Sequence, residues 1–150
     1  MKKNKMNGAS VMRGVELSDE YVDLYRKSHT YNMDYKIDYM EYLIINNIFD
    51  RPFTALITGC GTAGYVRLLS NAKKITAIDL SQKMIDTARE INKDKNLNLE
   101  LIKDDARVFP LHTKERYDFI EVGMLGAYLA FDINLIQKYF EMLEPGGIIN

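Results

Sequence analysis

The sequence holds one cysteine, two histidines, three prolines and no tryptophan in 150 residues. A lone cysteine can form neither an internal disulfide nor a cysteine-rich zinc site, and two distant histidines add little ligand capacity. No metal centre is expected, and the cysteine usage fits the reducing cytoplasm. Charge of one sign is lacking too. Twenty basic side chains against 21 acidic ones leave a net charge of −1, so no overall positive field exists to hold a nucleic-acid backbone. No apolar run approaches the about 18 residues of a membrane-spanning helix. The lysines of the first residues, Lys2, Lys3 and Lys5, have no apolar stretch behind them to make a signal or anchor. Neither nucleic acid nor membrane is an expected partner. Internal repeats and low-complexity linkers are also lacking.

What is present is ordinary for a globular chain, 47% hydrophobic and 27% charged with nine glycines, and the length suits one domain. Residues 1–17 read as a flexible tail and 18–50 as a helical segment. Ser18 can cap a helix through Arg26, and Ile37, Met40, Ile44 and Ile48 recur at helical spacing. From Thr54 to Asn150 short apolar runs alternate with amphipathic segments. The predicted strands are Ala55–Thr58, Ile75–Ile78, Leu97–Ile102, Phe119–Val122 and Ile148 with Ile149. The predicted helices are Ala63–Ser70, Gln82–Lys93 capped by Ser81, and Ile133–Leu143 capped by Asp132. Such alternation implies an α/β fold with a mostly parallel, doubly wound sheet and helices on both faces. The strands lack polar alternation, as strands covered on both faces do.

Directly after the first strand comes Gly59-Cys60-Gly61-Thr62-Ala63-Gly64. Glycine suits a turn that needs positive φ and lets a ligand approach bare backbone, and the carboxyl edge of a parallel sheet is where ligands bind. Asp79 closes the second strand about 20 residues on, where a carboxylate can accept from both hydroxyls of a ribose. Together these favour an adenosine-containing ligand without separating NAD from S-adenosylmethionine.

Four stretches make the sequence resemble the class I S-adenosylmethionine-dependent methyltransferases: the glycine loop, Asp79-Leu80-Ser81-Gln82-Lys83-Met84-Ile85, Asp104-Asp105-Ala106, and Leu143-Glu144-Pro145-Gly146-Gly147. The resemblance implies a Rossmann-like fold, with residues 18–50 as an N-terminal helical lid, and S-adenosyl-L-methionine as cofactor. It also implies that Gly59, Cys60, Gly61 and Thr62 face the methionine part of the cofactor and that Asp79 and Leu80 lie at the ribose. Met84 would lie against adenine, with Asp105 accepting from its exocyclic amine and the Ala106 amide donating to a ring nitrogen; Gly123 would also bind the cofactor. The family usually has an acidic residue two positions before the first glycine, where this chain has Ile57. Glu121, at the end of the neighbouring fourth strand, is expected to supply that charge, with burial its motive: a carboxylate in an apolar strand needs a partner.

The expected acceptor is a small molecule or metabolite, because Gly123-Met124-Leu125-Gly126 lacks the Asn/Asp-Pro-Pro-aromatic signature of enzymes acting on amide or adenine nitrogen. Tyr21, Tyr25, Tyr31 and Tyr35, paired at i, i+4 spacing, would form an aromatic rim of the lid and the acceptor pocket. His29 and Tyr128 are the lesser candidates for a catalytic role; His112 reads as a surface residue away from the carboxyl edge. The alternatives are an NAD-dependent oxidoreductase on the same loop, and a non-catalytic or truncated S-adenosylmethionine-binding module. The latter follows from the sheet, which reaches its fifth strand only at Ile148-Ile149 and is expected to be incomplete. Either the natural protein is longer, or a second copy covers the open edge as a homodimer.

Overall fold

The computed structural model describes residues 17–31, 44–45, 47–122 and 132–150. Its centre is a five-stranded sheet in the order β3-β2-β1-β4-β5. The strands are β1 (Phe53–Thr58), β2 (Ala72–Asp79), β3 (Leu99–Lys103), β4 (Tyr117–Glu121) and β5 (Leu143–Ile149). Every adjacent pair is parallel. The chain winds outward from β1 through β2 to β3, then returns to the other side of β1 for β4 and β5. The winding therefore reverses between β1 and β4, the crevice where open α/β sheets bind ligands.

The helices are α1 (Asp19–Tyr31), α2 (Gln82–Asn92), the single turn α3 (Phe109–His112) and α4 (Ile133–Glu141). Strand alternation sorts the core into two layers. Ala55, Ile57, Ile75, Ala77 and Phe119 join Ala63, Val66, Leu69 and Ala88 on one face. Leu56, Ile78 and Ile120 join Phe109, Leu135, Tyr139 and Met142 on the other. Each large apolar side chain so buried contributes about 1.5–3 kcal/mol, which explains why both faces of the strands read as apolar. The expected Rossmann-like, doubly wound α/β architecture is what forms.

The capping residues act as their types require. Ser18 Oγ accepts from the Tyr21 N–H at 3.1 Å, Ser81 Oγ from the Met84 N–H at 3.4 Å, and Asp132 Oδ1 from the N–H groups of Asn134 and Leu135 at 3.1 and 3.2 Å. Each satisfies donors that a helix start leaves open. The preface helix α1 docks on α2: Val22 is buried, and Asp19 pairs with Lys83 at 2.8 Å. Of the second expected helix, residues 44, 45, 47 and 48 are helical, with Ile45 buried in the first core layer.

Several boundaries differ from expectation. Instead of a helix over Ala63–Ser70 the chain makes one 3-10 turn, Val66–Leu68. The reason lies in Ala63, whose φ of +50° is left-handed and cannot begin a right-handed helix. The Leu68 and Leu69 N–H groups then close i→i+3 bonds to Tyr65 and Val66, and β2 starts at Ala72. The third strand starts at Leu99, two residues later than expected, because Leu97 bonds back to Lys95 in a tight turn. The turn α3, with Pro110 in its first positions, was not expected at all. The fifth strand is wider than Ile148-Ile149. Leu143 already pairs with Tyr117, the next pair is Phe119 with Ile148, and the residues between bulge outward. Gly146 takes φ +80° there, and a Cβ on Gly147 would stand 2.9–3.1 Å from the carbonyl oxygens of Glu144, Asp118 and Tyr117. Both glycines are thus required, one by conformation and one by space.

Candidate functional site

Three turns leave the carboxyl edge side by side. In the first, Gly59 and Gly61 adopt φ of +62° and +53°, a left-handed conformation that glycine reaches without a Cβ penalty. The Cys60 N–H still bonds to Ile78 O at 2.9 Å, which carries the β1–β2 pairing into the loop. Asp79, at the end of β2, joins the turns. Its Oδ2 accepts from the Gly61 N–H at 2.9 Å and its Oδ1 from the Ser81 N–H at 2.8 Å. Its carbonyl accepts from the Asp104 N–H at 3.1 Å. One residue thereby links the loops after β1, β2 and β3.

Burial pushes the Asp79 carboxyl above its ordinary value, and the N–H groups of Ser81 and Gly61 only partly offset this. Burial, with the Asp79 charge second, pushes the Cys60 thiol well up. A thiol held neutral is a small packing residue here and not a nucleophile. Thr62 is 1% exposed, and its Oγ1 has no hydrogen-bond partner among the described residues. Met84 is buried, whereas Leu80 is 42% exposed.

The third turn holds both aspartates of Asp104-Asp105-Ala106. Asp104 Oδ1 accepts from the Asp105 N–H at 2.7 Å, and Oδ2 lies 3.2 Å from His112 Nδ1. His112 is exposed, as expected, but it stands against the turn after β3 and so belongs to the carboxyl edge; α3 carries it there. The Asp105 carboxylate is held by Arg107, through Nε at 2.8 and 3.0 Å, through Nη2, and through the backbone N–H at 2.9 Å. Ala106 is buried, and its carbonyl accepts from the Tyr139 hydroxyl at 2.5 Å.

On the other side of the glycine loop, Glu121 pairs in register with Ile57. At 8% exposure it does not reach into solvent, and its carbonyl accepts from Thr58 Oγ1 at 3.0 Å. An acid sits beside the strand end where Ile57 is apolar.

Of the aromatic rim, Tyr21 is 50% exposed. Tyr25, Tyr31 and His29 fall on α1, but their side chains lie outside the described residues, as do Tyr35, Gly123 and Tyr128 entirely. The cleft between α1 and α2 is bounded by Asp19, Arg26, Lys83 and Asp86. Its carboxylates are already engaged in ion pairs with Lys83, Arg26 and Arg89. Among the described residues there is no cluster able to hold a metal ion and no helix long and apolar enough to cross a membrane.

Two site-shaping contacts were not anticipated. Asn92 Nδ2 donates to the carbonyls of Ala63 and Ala88 at 3.3 and 2.9 Å, bracing the left-handed Ala63. Its signal was in the sequence: a polar residue continuing the buried Met84, Ile85, Ala88 stripe. The Tyr139–Ala106 bond spans 33 residues and has no local signal.

Residues 55–147 match the model of a family described as a methyltransferase domain. No curated protein matches the sequence. Among solved structures, the chain is 23% identical to an S-adenosylmethionine-dependent methyltransferase from Clostridium acetobutylicum, with a TM-score of 0.64, over 87% of this chain and 55% of that one. A methyltransferase from Thiobacillus denitrificans in complex with S-adenosyl-L-homocysteine is 20% identical, with a TM-score of 0.67, over 90% and 55%. The N-methyltransferase NodS from Bradyrhizobium japonicum, also bound to S-adenosyl-L-homocysteine, is 22% identical, with a TM-score of 0.66, over 88% and 71%. The chain thus spans little more than half the length of the first two.

Proposed function

The chain belongs to the methyltransferase-domain family, and from that premise we propose that it binds S-adenosyl-L-methionine at the carboxyl edge of β1, β2 and β3 and takes part in methyl transfer to a small-molecule acceptor in the cytoplasm. The observation that carries the reading is the Asp79 junction, a half-buried carboxylate on the amide of a left-handed glycine, flanked by a second carboxylate turn. The residues fit the cofactor. Thr62 buries a hydroxyl without a partner among the described residues, and Gly59 is exposed with no side chain in the way of a ligand. Asp79, Asp105 and Glu121 supply acceptors of the kind that a ribose diol, an exocyclic amine and an ammonium group need.

In this reading Gly59, Cys60, Gly61 and Thr62 bind the methionine part, and Asp79 with Leu80 holds the ribose. Met84 packs on adenine, while Asp105 and the Ala106 amide read its edge. Glu121 faces the ammonium in place of an acid at Ile57, and Gly123, two residues on in the sequence, completes the cofactor-binding set. When bound, the cofactor supplies a methyl group already activated on sulfonium. What remains for the protein is to orient the acceptor and exclude water. α1 meets the first turn of α2, which follows Asp79 and Ser81, and this supports residues 18–50 as the lid over that edge, with Tyr21, Tyr25, Tyr31 and Tyr35 as its aromatic face. A small acceptor is favoured by the net charge of −1 and by the lack of an Asn/Asp-Pro-Pro-aromatic segment after β4. The outer edge of β5 is covered by a second copy in this reading, which light scattering tests; a monomer rejects that part.

Titration calorimetry with S-adenosylhomocysteine and NADH tests the cofactor. Heat with the first and none with the second is the expected result, and NADH binding alone transfers the site to an oxidoreductase.

A further inference from the structure

The turn after β3 is held from beneath by a residue of α4. Tyr139 is buried in the second core layer beside Ala106 and Phe109, and its hydroxyl donates to Ala106 O at 2.5 Å. That carbonyl belongs to the same peptide unit as the Arg107 N–H, which donates to Asp105 Oδ1 at 2.9 Å. A peptide unit is planar, so fixing its oxygen fixes its N–H. Tyr139 therefore reaches the Asp105 carboxylate through one rigid plane, and a hydrogen bond at each end of an amide strengthens the other. The guanidinium of Arg107 completes the hold on the carboxylate. The Tyr139 hydroxyl stays a donor, because burial, with the charges of Asp105 and Asp104 behind it, raises its pKa.

We propose that Tyr139 is a positioning residue that sets the direction of the Asp105 carboxylate, beside the Ala106 amide, and so fixes the preference of the site for adenine over hypoxanthine. The proposal rests on the reading that these two groups face the base. Adenine offers an amine and an adjacent ring lone pair, which match a carboxylate and an N–H donor. Hypoxanthine offers a carbonyl and a ring N–H there, which oppose both. Discrimination of this kind depends on direction, because mispaired polar groups are penalised only when they cannot turn away.

The test compares dissociation constants for S-adenosylhomocysteine and S-inosylhomocysteine in the wild type, in Tyr139→Phe and in Leu135→Val, a neighbour in the same core layer. The wild type should prefer the adenine ligand. Tyr139→Phe should cut that preference about fivefold to tenfold, the loss of one buried hydrogen bond, by weakening the adenine ligand more than the hypoxanthine one. Leu135→Val should leave the ratio unchanged. If Tyr139→Phe does not fold, Tyr139→Met, which also lacks the donor, carries the same comparison. Equal weakening of both ligands, or none, overturns the proposal while leaving the site reading intact. A wild type that binds S-adenosylhomocysteine without preferring it overturns the placement of Asp105 and Ala106 at the base, and the role of Tyr139 with it. A wild type that binds neither ligand overturns the cofactor reading itself.

Discussion

Replacing Asp79 by alanine removes the acceptor shared by the Gly61 and Ser81 N–H groups. Gly61 is buried, so its donor loses an acceptor that water cannot readily replace, at about 1–3 kcal/mol. Ser81 is half-buried and water can take its share. Against this loss stands the relief of a desolvated carboxylate, whose cost is visible in its raised pKa. The net expectation is a loss of about 1–2 kcal/mol at neutral pH, or a fall in Tm of about 2–8 °C for a chain of this size. The pH dependence has a definite sign. A carboxyl with a folded pKa above its unfolded value contributes stability that is full below the unfolded value, near 3.8, and lost as pH rises through the folded one. The gap between wild type and Asp79→Ala should therefore widen as pH falls from neutral towards 3.8. Thermal unfolding by circular dichroism across that range measures it. The same variant should bind S-adenosylhomocysteine about 100-fold more weakly, since two charge-assisted hydrogen bonds to the ribose are lost. A gap that narrows on acidification, or an unchanged affinity, refutes the reasoning.

Three further outcomes follow from other parts of the fold. Glu121→Gln should weaken S-adenosylhomocysteine binding about tenfold, or about 1.4 kcal/mol, by calorimetry; an unchanged affinity means that Glu121 does not face the ammonium. Asp118, 3% exposed, accepts from Arg51 Nη2 at 2.6 Å and from the Thr54 N–H and hydroxyl at 2.8 and 3.0 Å; burial alone would raise its pKa, but these donors hold it low. Stability from Asp118 is thus present above pH 3.8 and lost as pH falls through its lower folded value, so Asp118→Asn should be clearly destabilised at neutral pH and converge on the wild type in acid, by denaturant unfolding. Gly147→Ala should cost about 1–3 kcal/mol, because its Cβ would meet backbone oxygens at 2.9–3.1 Å; Gly146→Ala has open space and suffers only the left-handed φ penalty, about 1–2 kcal/mol.

Much of the architecture was legible in the sequence because its signals are local. Buried parallel strands such as Phe119-Ile120 show as unbroken apolar runs, and Ser81 and Asp132 mark helix starts by their side-chain chemistry. The loop and Asp79 were legible as a candidate site because glycine and carboxylate stand at strand ends in a fixed order, and Asp105 was added by the family resemblance. The turn at Val66–Leu68 was not, because alanine favours helix, and nothing local tells that Ala63 is forced to φ +50° and braced by Asn92. Pairing of Leu143 with Tyr117 across a bulge, the bond between Tyr139 and Ala106, and the approach of His112 to Asp104 all depend on how distant segments meet, which spacing along the chain does not encode. Glu121 lies between these cases. Its neighbour strand was readable from the strand order that the resemblance implies, but its burial and its register with Ile57 are tertiary facts.

Every role proposed for these residues depends on where the cofactor sits. Titrating S-adenosylhomocysteine into isotope-labelled protein and following backbone amides by NMR tests it most directly. The amides of Gly59, Gly61, Ser81, Ala106 and Glu121 should shift together with one dissociation constant, while those around Arg51, Lys74 and Asp118 at the opposite end of the strands stay still. Shifts confined to that opposite end, or to the cleft between α1 and α2, would contradict that placement.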